Sequence, residues 1–312
     1  MQVVRFRKWF LLISALLVMA SVVSLSLYRL NPGIDFTGGA AINVKYTEAI
    51  SSNQIVEALS GVMQDDAVVQ ATADNSFFIR VGILELDQRD DSGQVVRRGE
   101  ESEVRQALKS IGPGEIVSFD SVSGVIGDEN VRNAIIAVIV ASIVILVYVT
   151  WAFRRVPTPF RYGVAAIVAL IHDVFIVLGV FSVLGETINL QVNAMFITGV
   201  LTTIGYSVND TIVVFDRLRE NVARYPGAAI SELVNISVRE TIGRSLNTSI
   251  TLIVVVVALL LFAGASIQPL LYVLLAGVAV GTYSSIFIAS LTLVAWEQGE
   301  IGRAFRLLTF RR

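Results

Sequence analysis

The stretch GYSVNDTIVVFDRLREN, Gly205 to Asn221, decides how the rest of the chain is interpreted. It begins inside a long apolar run and places Asn209 and Asp210 within that run. It ends in a charged cluster from Asp216 to Glu220. A carboxylate within hydrocarbon is costly unless it is paired, hydrated or protonated, so by default it marks a functional site. The remaining sequence has to establish that this run spans a membrane.

The composition is that of an integral membrane protein. Hydrophobic residues make up 54% of the 312 residues and charged residues 16%, with a mean hydropathy of +0.70, whereas a soluble domain carries roughly 25% charged residues. The chain has no cysteine and one histidine, His172, which excludes disulfides, cysteine nucleophiles and multi-histidine metal sites. There is no Ser-His-carboxylate set, GxSxG motif or P-loop. We therefore expect no enzyme activity, no metal, no cofactor and no nucleic-acid partner.

Six apolar runs are long enough to cross about 30 Å of hydrocarbon. The first, Trp9–Tyr28, follows Arg5, Arg7 and Lys8. It is longer than the roughly 7–15 apolar residues of a signal peptide, so we interpret it as an uncleaved span. The other predicted spans are Asn133–Phe153, Tyr162–Leu184, Val192–Phe215, Ser245–Ala263 and Pro269–Trp296.

The distribution of basic residues predicts the orientation in the membrane. Fifteen of the 24 Lys and Arg residues lie at the amino terminus, in the loops after the second and fourth spans, and in the tail, whereas the loops Gly185–Gln191 and Gly264–Gln268 have none. By the positive-inside rule both termini are cytoplasmic and the segment after the first span is exterior. The predicted divisions are residues 1–30 (amino terminus and first span), 31–128 (exterior domain), 129–296 (five spans with a cytoplasmic loop, 216–244) and 297–312 (cytoplasmic tail).

Residues 31–128 have the composition of an acidic soluble domain, with sixteen acidic and seven basic residues and a net charge of −9. Alternating and β-branched runs predict four strands, and helical spacing predicts two helices. Their order, β-α-β-β-α-β, is typical of a ferredoxin-like α+β domain. A polar excursion, Asp87–Gly99, precedes the second helix. The strands are Ala41–Tyr46, Ala67–Thr72, Phe77–Leu84 and Ile116–Val122, and the helices are Gln54–Val62 and Glu101–Ile111.

Two further segments have recognisable patterns. GIDFTGG, with Gly33, Asp35, Gly38 and Gly39, follows the first span, and its glycines favour a tight exit into the first strand. A phosphate cradle is the alternative, but no helix is predicted after it and no Lys-Ser/Thr ends the motif. In the cytoplasmic loop, Ala229–Ile242 has the pattern of an amphipathic helix at the membrane surface.

The fourth and fifth spans carry polar stripes. Thr203, Ser207 and Asp210 share one helix face, with Asn209 on the adjacent stripe. In the fifth span the corresponding face carries Arg244, Thr248 and Thr251. Because the two spans run antiparallel, we expect the Asp210 carboxylate to lie opposite the Arg244 guanidinium, about 7–9 Å inside the boundary. The pair is either a proton relay, since burial and the arginine shift its protonation in opposite directions, or a static lock between two helices.

His172 and Asp173 form a second titratable pair near the middle of the third span. One interpretation is a hydrated ion path that includes Asp173, and the other is a hydrogen-bonded packing device between helices. Asp173 is the weaker ion-coupling candidate because the sequence offers it no cationic partner beyond its neighbour.

Together these features resemble a known family. The half-unit of the RND superfamily consists of one span, a large exterior domain and five further spans, with a titratable residue in the fourth span of the chain. The strings GIDFTGG, LIHD, GYSVNDTIVVFDRLREN and RETIGRSLNTS, in that order, are similar to those of the SecF family, the smaller subunits of SecD–SecF complexes. The resemblance does not extend to the excursion at 87–99 or the tail after Glu300.

The resemblance implies a function, a location and partners. It implies an accessory subunit of the Sec translocase in the bacterial plasma membrane. Such a subunit uses the proton-motive force to promote export of unfolded polypeptide and works with SecD, the SecYEG channel and YajC. The intramembrane aspartate and arginine of the family correspond to Asp210 and Arg244. The coupling ion, H⁺ or Na⁺, stays open. The alternatives are an RND-type half-transporter for a small molecule or lipid and a purely structural scaffold for SecD.

Overall fold

The computed structural model describes residues 2–62, 67–71, 75–85, 88–89, 95–97, 99–262, 264 and 266–300. The chain divides into two compact units, which are treated separately below. The first, called the helical unit, comprises the described residues within 1–31, 136–190 and 195–312; the second, called the exterior unit after its predicted location, comprises those within 32–135 together with 191–194. The predicted ends at Thr72 and Ala263, much of the excursion at 87–99, and the tail from 301 onward lie outside the described residues.

The described helices and strands are the following. In chain order the helices are α1 (Arg7–Tyr28), α2 (Ile34–Thr37), α3 (Ser52–Ser60), α4 (Glu100–Ile111), α5 (Gly124–Ala152), α6 (Pro159–Ile188), α7 (Ala194–Arg224), α8 (Ile230–Phe262), α9 (Gln268–Tyr283) and α10 (Ser290–Glu297). The strands are β1 (Gly39–Tyr46), β2 (Val68–Ala71), β3 (Ser76–Val81), β4 (Gln88–Arg89), β5 (Val95–Arg97) and β6 (Gly114–Val122). A 3₁₀ turn, Val3–Phe6, precedes α1, and a π-helical segment, Ser284–Ala289, joins α9 to α10.

Five helical stretches of the described chain are long and apolar enough to cross a membrane: α1 with its 3₁₀ turn, α5, α6, α8, and the stretch from α9 to α10. They confirm a chain with several membrane helices. The predicted fourth span, α7, has 31 residues but is outside this set, because the polar residues of its middle lower its hydropathy. Its passage through the membrane therefore stays a prediction.

The predicted cytoplasmic loop 216–244 is mostly helical, which corrects the sequence interpretation. α7 continues to Arg224 and α8 begins at Ile230, so the separate surface helix expected at Ala229–Ile242 is the start of α8. Side chains join the two helices there: Asn221 Nδ2 donates to Ser237 Oγ at 3.0 Å, and Arg217 Nε donates to Glu240 at 2.7 Å. With 33 residues, α8 is about 50 Å long, well beyond the hydrocarbon thickness.

The exterior unit contains a four-stranded antiparallel sheet in the order β2–β3–β1–β6. α3 lies between β1 and β2 in the chain, α4 lies between β3 and β6, and β4 pairs with β5 in a separate hairpin. The predicted order of strands and helices is thus the observed one, with the hairpin added. Alternate residues of β3 are buried in a core with β1, α3 and α4. The fully buried members include Ile42, Ile55, Leu59, Ile79 and Leu108.

The GIDFTGG segment turns sharply, as its glycines predict. Gly38 and Gly39 have φ angles of 73° and 122°, which residues with a Cβ atom rarely adopt. The short helix α2 lies within the motif, and the motif is followed by strand β1, in agreement with the expectation that no helix comes after it. After the exterior sheet, α5 begins at Gly124, and the Gly127 amide donates to the Ser123 carbonyl in its first turn.

Candidate functional site: a buried polar core in the helical unit

Asp173, on α6, is the centre of a hydrogen-bonded cluster. Its Oδ2 atom accepts hydrogen bonds from Ser207 Oγ of α7 at 2.6 Å and from Ser284 Oγ of the π-helical segment at 2.7 Å. Its Oδ1 atom lies 3.0 Å from Nδ1 of His172. All four residues are buried. The carboxylate therefore joins three helical stretches that are far apart in the chain.

Close helix packing brings these groups together. Gly277 and Gly281 of α9 face Thr203 and Ser207 of α7, and a Cβ on Gly277 would lie 2.5 Å from Thr203 Cγ2. Small residues at this spacing let helix backbones approach closely in membranes. The π-helical segment continues α9 and buries Ser284. Single π turns are frequent at functional sites, and this one places a donor on Asp173.

The cluster continues from His172 toward α1. The His172 ring centroid lies 6.2 Å from that of Tyr283. Tyr283 Oη donates to the Phe10 carbonyl at 3.0 Å and accepts from Ser14 Oγ at 3.1 Å. His172 Nε2 is buried and has no hydrogen-bond partner among the described residues.

The surroundings of Asp210 differ from those of Asp173, which is well hydrogen-bonded. The residue is only 5% exposed, and within the described chain its Oδ2 atom has no hydrogen-bond partner. Ser245 of α8 lies near this carboxyl group, and the buried Ser245 hydroxyl has no hydrogen-bond partner among the described residues. Both groups thus retain unused hydrogen-bonding capacity.

The expected direct contact between Asp210 and Arg244 is not formed. Among the described residues no ion pair joins them, Arg244 is exposed, and its charge acts on Asp210 only at longer range. The reason is the phase of α8: Ser245 and Ser249, four residues apart, face inward, which turns Arg244 outward. The functional roles predicted for Asp210 and Arg244 are untouched by this difference and stay predictions.

Three core residues, Ser249, Thr282 and Ser284, were not singled out from the sequence, whereas Tyr206 was placed on the polar stripe of Asn209. Tyr206 Oη and Ser249 Oγ are 2.8 Å apart, and Ser249 Oγ and Thr282 Oγ1 are 2.5 Å apart, so a second polar chain joins α7, α8 and α9. A usable signal existed, because small polar residues recur every fourth position along α8 and all of them are buried: Ser237, Thr241, Ser245 and Ser249.

The remaining predicted residues divide between two faces. Thr203 and Ser207 are buried in the core, whereas Asn209, Thr248 and Thr251 lie on the exposed side of α7 and α8. Thr248 and Thr251 donate to carbonyls of their own helix. The supporting polar face predicted on α8 therefore does not line the cluster around Asp173. Gly33, Asp35, Gly38 and Gly39 belong to the exterior unit.

A narrow cavity adjoins the Asp173 cluster. Its polar lining is Asp173, Thr203 and Ser207, and its apolar lining is Leu170, Val174, Val177, Val200 and Ile204. The volume open to a water-sized sphere is about 10 Å³, close to the ~10–15 Å³ that a single water requires. The described residues include no group of three or more His, Cys, Asp or Glu side chains that could hold a metal ion.

Comparison with known proteins places this core in a family. The family model described as protein export membrane protein SecD/SecF, C-terminal, matches residues 103–299. Protein translocase subunit SecF of Thermobaculum terrenum is 40% identical over 311 residues, covering 97% of this chain and 96% of the relative. Protein translocase subunit SecDF of Bacillus subtilis is 34% identical, covering 95% of this chain and 38% of the relative.

The fold agrees with these sequence matches. The crystal structure of SecDF from Thermus thermophilus, a translocon-associated membrane protein, is similar with a TM-score of 0.79 and 30% identity. That match covers 96% of this chain and 39% of the SecDF chain. The chain thus has nearly the full length of the SecF relative and about two fifths of the length of the SecDF chains. It belongs to the SecD/SecF family of protein export membrane proteins.

Proposed function

We propose that this chain is a SecF-type accessory subunit of the bacterial Sec translocase and uses the proton-motive force to promote export of unfolded polypeptide. Similarity over nearly the whole length to proteins named as SecF translocase subunits supports the general role. In this proposal α7 also crosses the membrane, which makes six spans in all, both termini are cytoplasmic, and the bacterial inner membrane is the location. The exterior unit is a ferredoxin-like domain, which its strand order supports.

The observation that carries the ion-coupling part is the buried carboxyl group of Asp210, whose Oδ2 atom has no hydrogen-bond partner among the described residues. A protonated carboxyl group is a hydrogen-bond donor, and a deprotonated one is only an acceptor. In the protonated state Asp210 would donate to Ser245. In the deprotonated state its charge would attract Arg244, which now lies on the exposed face. The two states therefore favour different contacts between α7 and α8.

The energy of the gradient suffices for such a change. One charge that crosses 100 mV releases roughly 2.3 kcal/mol. A buried hydrogen bond to a charged group contributes about 1.5–3 kcal/mol. One ion per cycle can therefore exchange one interhelical contact for another. Asp173, held by Ser207 and Ser284, would keep α6, α7 and α9 together while the contact between α7 and α8 changes.

An exposed polar stripe supports SecD as the partner in the membrane. On α7 it comprises Thr202, Gly205 and Asn209, and on α8 it comprises Arg244, Asn247, Thr248 and Thr251. Polar side chains are costly when they face hydrocarbon, so a second protein is the favoured neighbour there, with lipid around the other faces. The Bacillus subtilis relative, named SecDF and much longer than this chain, supports that assignment. SecYEG, YajC and the exported polypeptide complete the proposed partners.

The test is gradient-dependent export into inverted membrane vesicles that carry Asp210→Asn. We expect the gradient-dependent increment to be lost and export without a gradient to continue. The matched control is Asp216→Asn on the same helix, where the carboxylate is 46% exposed and paired with Arg219; it should export like the wild type. Separate H⁺ and Na⁺ gradients identify the ion. Full stimulation in Asp210→Asn would contradict the proposal.

Two other functions make different predictions. A small-molecule half-transporter requires an apolar or aromatic cleft in the exterior domain. A depression there is lined by both kinds of group, with Tyr46 and Pro113 beside the polar residues Lys45, Thr47, Asn75 and Glu115, so it is not a predominantly apolar cleft. The chain has no cysteine, so a single cysteine at position 115 can be used to crosslink an arrested export substrate. Crosslinks to polypeptide support export, and crosslinks confined to a lipid or drug probe support the alternative.

A purely structural scaffold for SecD is the third possibility. It was expected to use an Asp210–Arg244 ion pair as a lock between helices. The described contacts between α7 and α8 instead include Tyr206 with Ser249, Asn221 with Ser237 and Arg217 with Glu240. A scaffold role predicts that Asp210→Asn dissociates SecD, whereas ion coupling predicts an assembled but unresponsive complex.

A further inference from the structure

The GIDFTGG segment contacts the start of α7, a contact that the proposed mechanism does not yet use. Asp35 Oδ2 accepts a hydrogen bond from the backbone amide of Ala194, the first residue of α7, at 2.8 Å. The first amides of a helix have no partner within the helix, and the helix dipole favours a negative charge there. A side chain 159 residues earlier in the chain thus helps to hold this helix end.

Backbone contacts strengthen the same connection. The Gly33 amide donates to the Val192 carbonyl at 2.7 Å, and Pro32 and Val192 form a parallel β-bridge. A Cβ on Gly33 would lie 3.1–3.2 Å from atoms of Gln191, Asn193 and Val192. Only glycine lets the two segments approach this closely without displacement. All of these residues belong to the exterior unit.

The other side of the segment contacts the start of α5. The Asp35 carbonyl accepts a hydrogen bond from Asn130 Nδ2 at 2.9 Å, and a Cβ on Gly127 would lie 2.9 Å from the Phe36 carbonyl oxygen. Gly38 then turns the chain into β1, the central strand of the exterior sheet. The segment therefore connects the start of α5, the start of α7 and the sheet.

We infer that Asp35 is a positioning residue that couples the exterior domain to α7, and through α7 to the state of Asp210. The inference rests on the proposed ion-coupled function. Asp210 lies on the same uninterrupted helix as Ala194, about 24 Å along its axis at ~1.5 Å per residue. A continuous helix transmits displacement along its length, so a firmly held first turn makes the exterior domain respond when contacts near Asp210 change.

The test compares Asp35→Ala with Asp35→Asn in the full chain assembled with its translocase. Asp35→Ala removes the acceptor for the Ala194 amide, and hydrogen exchange in the first turn of α7 should rise roughly fivefold, the factor that a typical helix cap contributes. Gradient-dependent export should fall to the level of Asp210→Asn, while export without a gradient is unchanged. Asp35→Asn keeps an oxygen acceptor for the Ala194 amide. Hydrogen exchange in the first turn of α7 and gradient-dependent export should therefore both stay at the wild-type level. Asp120→Ala, an exposed aspartate of the same unit, is the control.

A spin-label measurement separates coupling from stability. In the cysteine-free chain, label pairs across the exterior domain should change distance with the gradient in the wild type and in Asp35→Asn, and not in Asp35→Ala. Normal gradient-dependent export or distance change in Asp35→Ala overturns the inference, even if first-turn exchange rises. If Asp35→Ala does not accumulate, Gly33→Ala replaces it, and unimpaired coupling in that variant also overturns the inference.

The two proposals fail in different ways. If Asp210→Asn abolishes the response to the gradient and Asp35→Ala does not, only the coupling role of Asp35 is wrong. If Asp210→Asn still responds, the proposed ion-coupled function is wrong, and the role of Asp35 that rests on it falls with it.

Discussion

At the scale of single residues, two buried aspartates in one helical core have opposite hydrogen-bonding states. Asp173 accepts from two serine hydroxyls and contacts His172, whereas Asp210 Oδ2 has no partner among the described residues. A buried charge that is well hydrogen-bonded is a stable part of a structure, and an unsatisfied one is a candidate for exchange. Asp173 therefore suits an organising role and Asp210 a changing one.

This difference predicts unequal effects of the same isosteric substitution on stability. Asp173→Asn replaces charge-assisted hydrogen bonds by weaker neutral ones, and we expect it to lower the free energy of unfolding by about 1–3 kcal/mol. Asp210→Asn replaces a carboxyl group whose Oδ2 atom has no partner among the described residues, and it should lower the free energy of unfolding by less than about 1 kcal/mol, because no hydrogen bond to that atom is lost. Thermal unfolding of the two purified variants in detergent measures the difference. Equal destabilisation would contradict the distinction drawn between the aspartates.

At the scale of secondary-structure elements, glycines decide how closely the helices approach. Gly277 and Gly281 lie one turn apart on α9 and leave room for Thr203 and Ser207 of α7. That approach allows Ser207 to reach Asp173 at 2.6 Å. A helix–helix spacing of this kind leaves little room for larger side chains, because the interior is close-packed.

We therefore expect Gly277→Ala to destabilise the helical unit by about 1–3 kcal/mol through overpacking against Thr203. The matched control is Gly205→Ala on α7, where an added Cβ meets no atom within 4 Å. In a helix that change stabilises by roughly 0.5–1 kcal/mol. Unfolding of the isolated chain in detergent compares the two. If Gly277→Ala has the same free energy of unfolding as the wild type, the helices relax around the extra methyl group and the prediction is wrong.

At the scale of the whole molecule, the chain passes between its two compact units four times. The exterior unit includes residues 191–194, which lead directly into α7. The helical unit includes an exposed polar stripe on α7 and α8, which we assign to SecD. The proposed role therefore depends on contacts beyond this single chain.

The assignment of that stripe predicts a selective loss of assembly. Gly205→Trp places a large side chain on the exposed stripe of α7 and should reduce co-purification of SecD several-fold, while the chain itself folds because nothing lies within 4 Å of the position. Val144→Trp on the exposed face of α5, where the native residue is 60% exposed, should retain SecD. If SecD co-purifies normally with Gly205→Trp, SecD does not contact this stripe and the assignment is wrong.

Local sequence patterns were sufficient to predict a membrane protein with several helical spans. They were also sufficient to predict the order β-α-β-β-α-β in residues 31–128 and the burial of Asp210. These properties follow from hydrophobic runs and from periods of about 2 and 3.6 residues, which adjacent residues define among themselves. The same patterns did not show that most of the predicted cytoplasmic loop 216–244 is helical, with α7 continuing to Arg224 and α8 beginning at Ile230.

Only the folded structure shows which residues form hydrogen bonds with one another across the chain. Ser207 and Ser284 reach Asp173 across 34 and 111 residues, and Asp35 reaches Ala194 across 159. Periodicity predicts which residues share a helix face, but the rotation of one helix against its neighbours depends on packing, such as that of Gly277 on Thr203. The same rotation directs Ser245 toward Asp210 and Arg244 outward, a choice that residue types alone leave open because both side chains are polar.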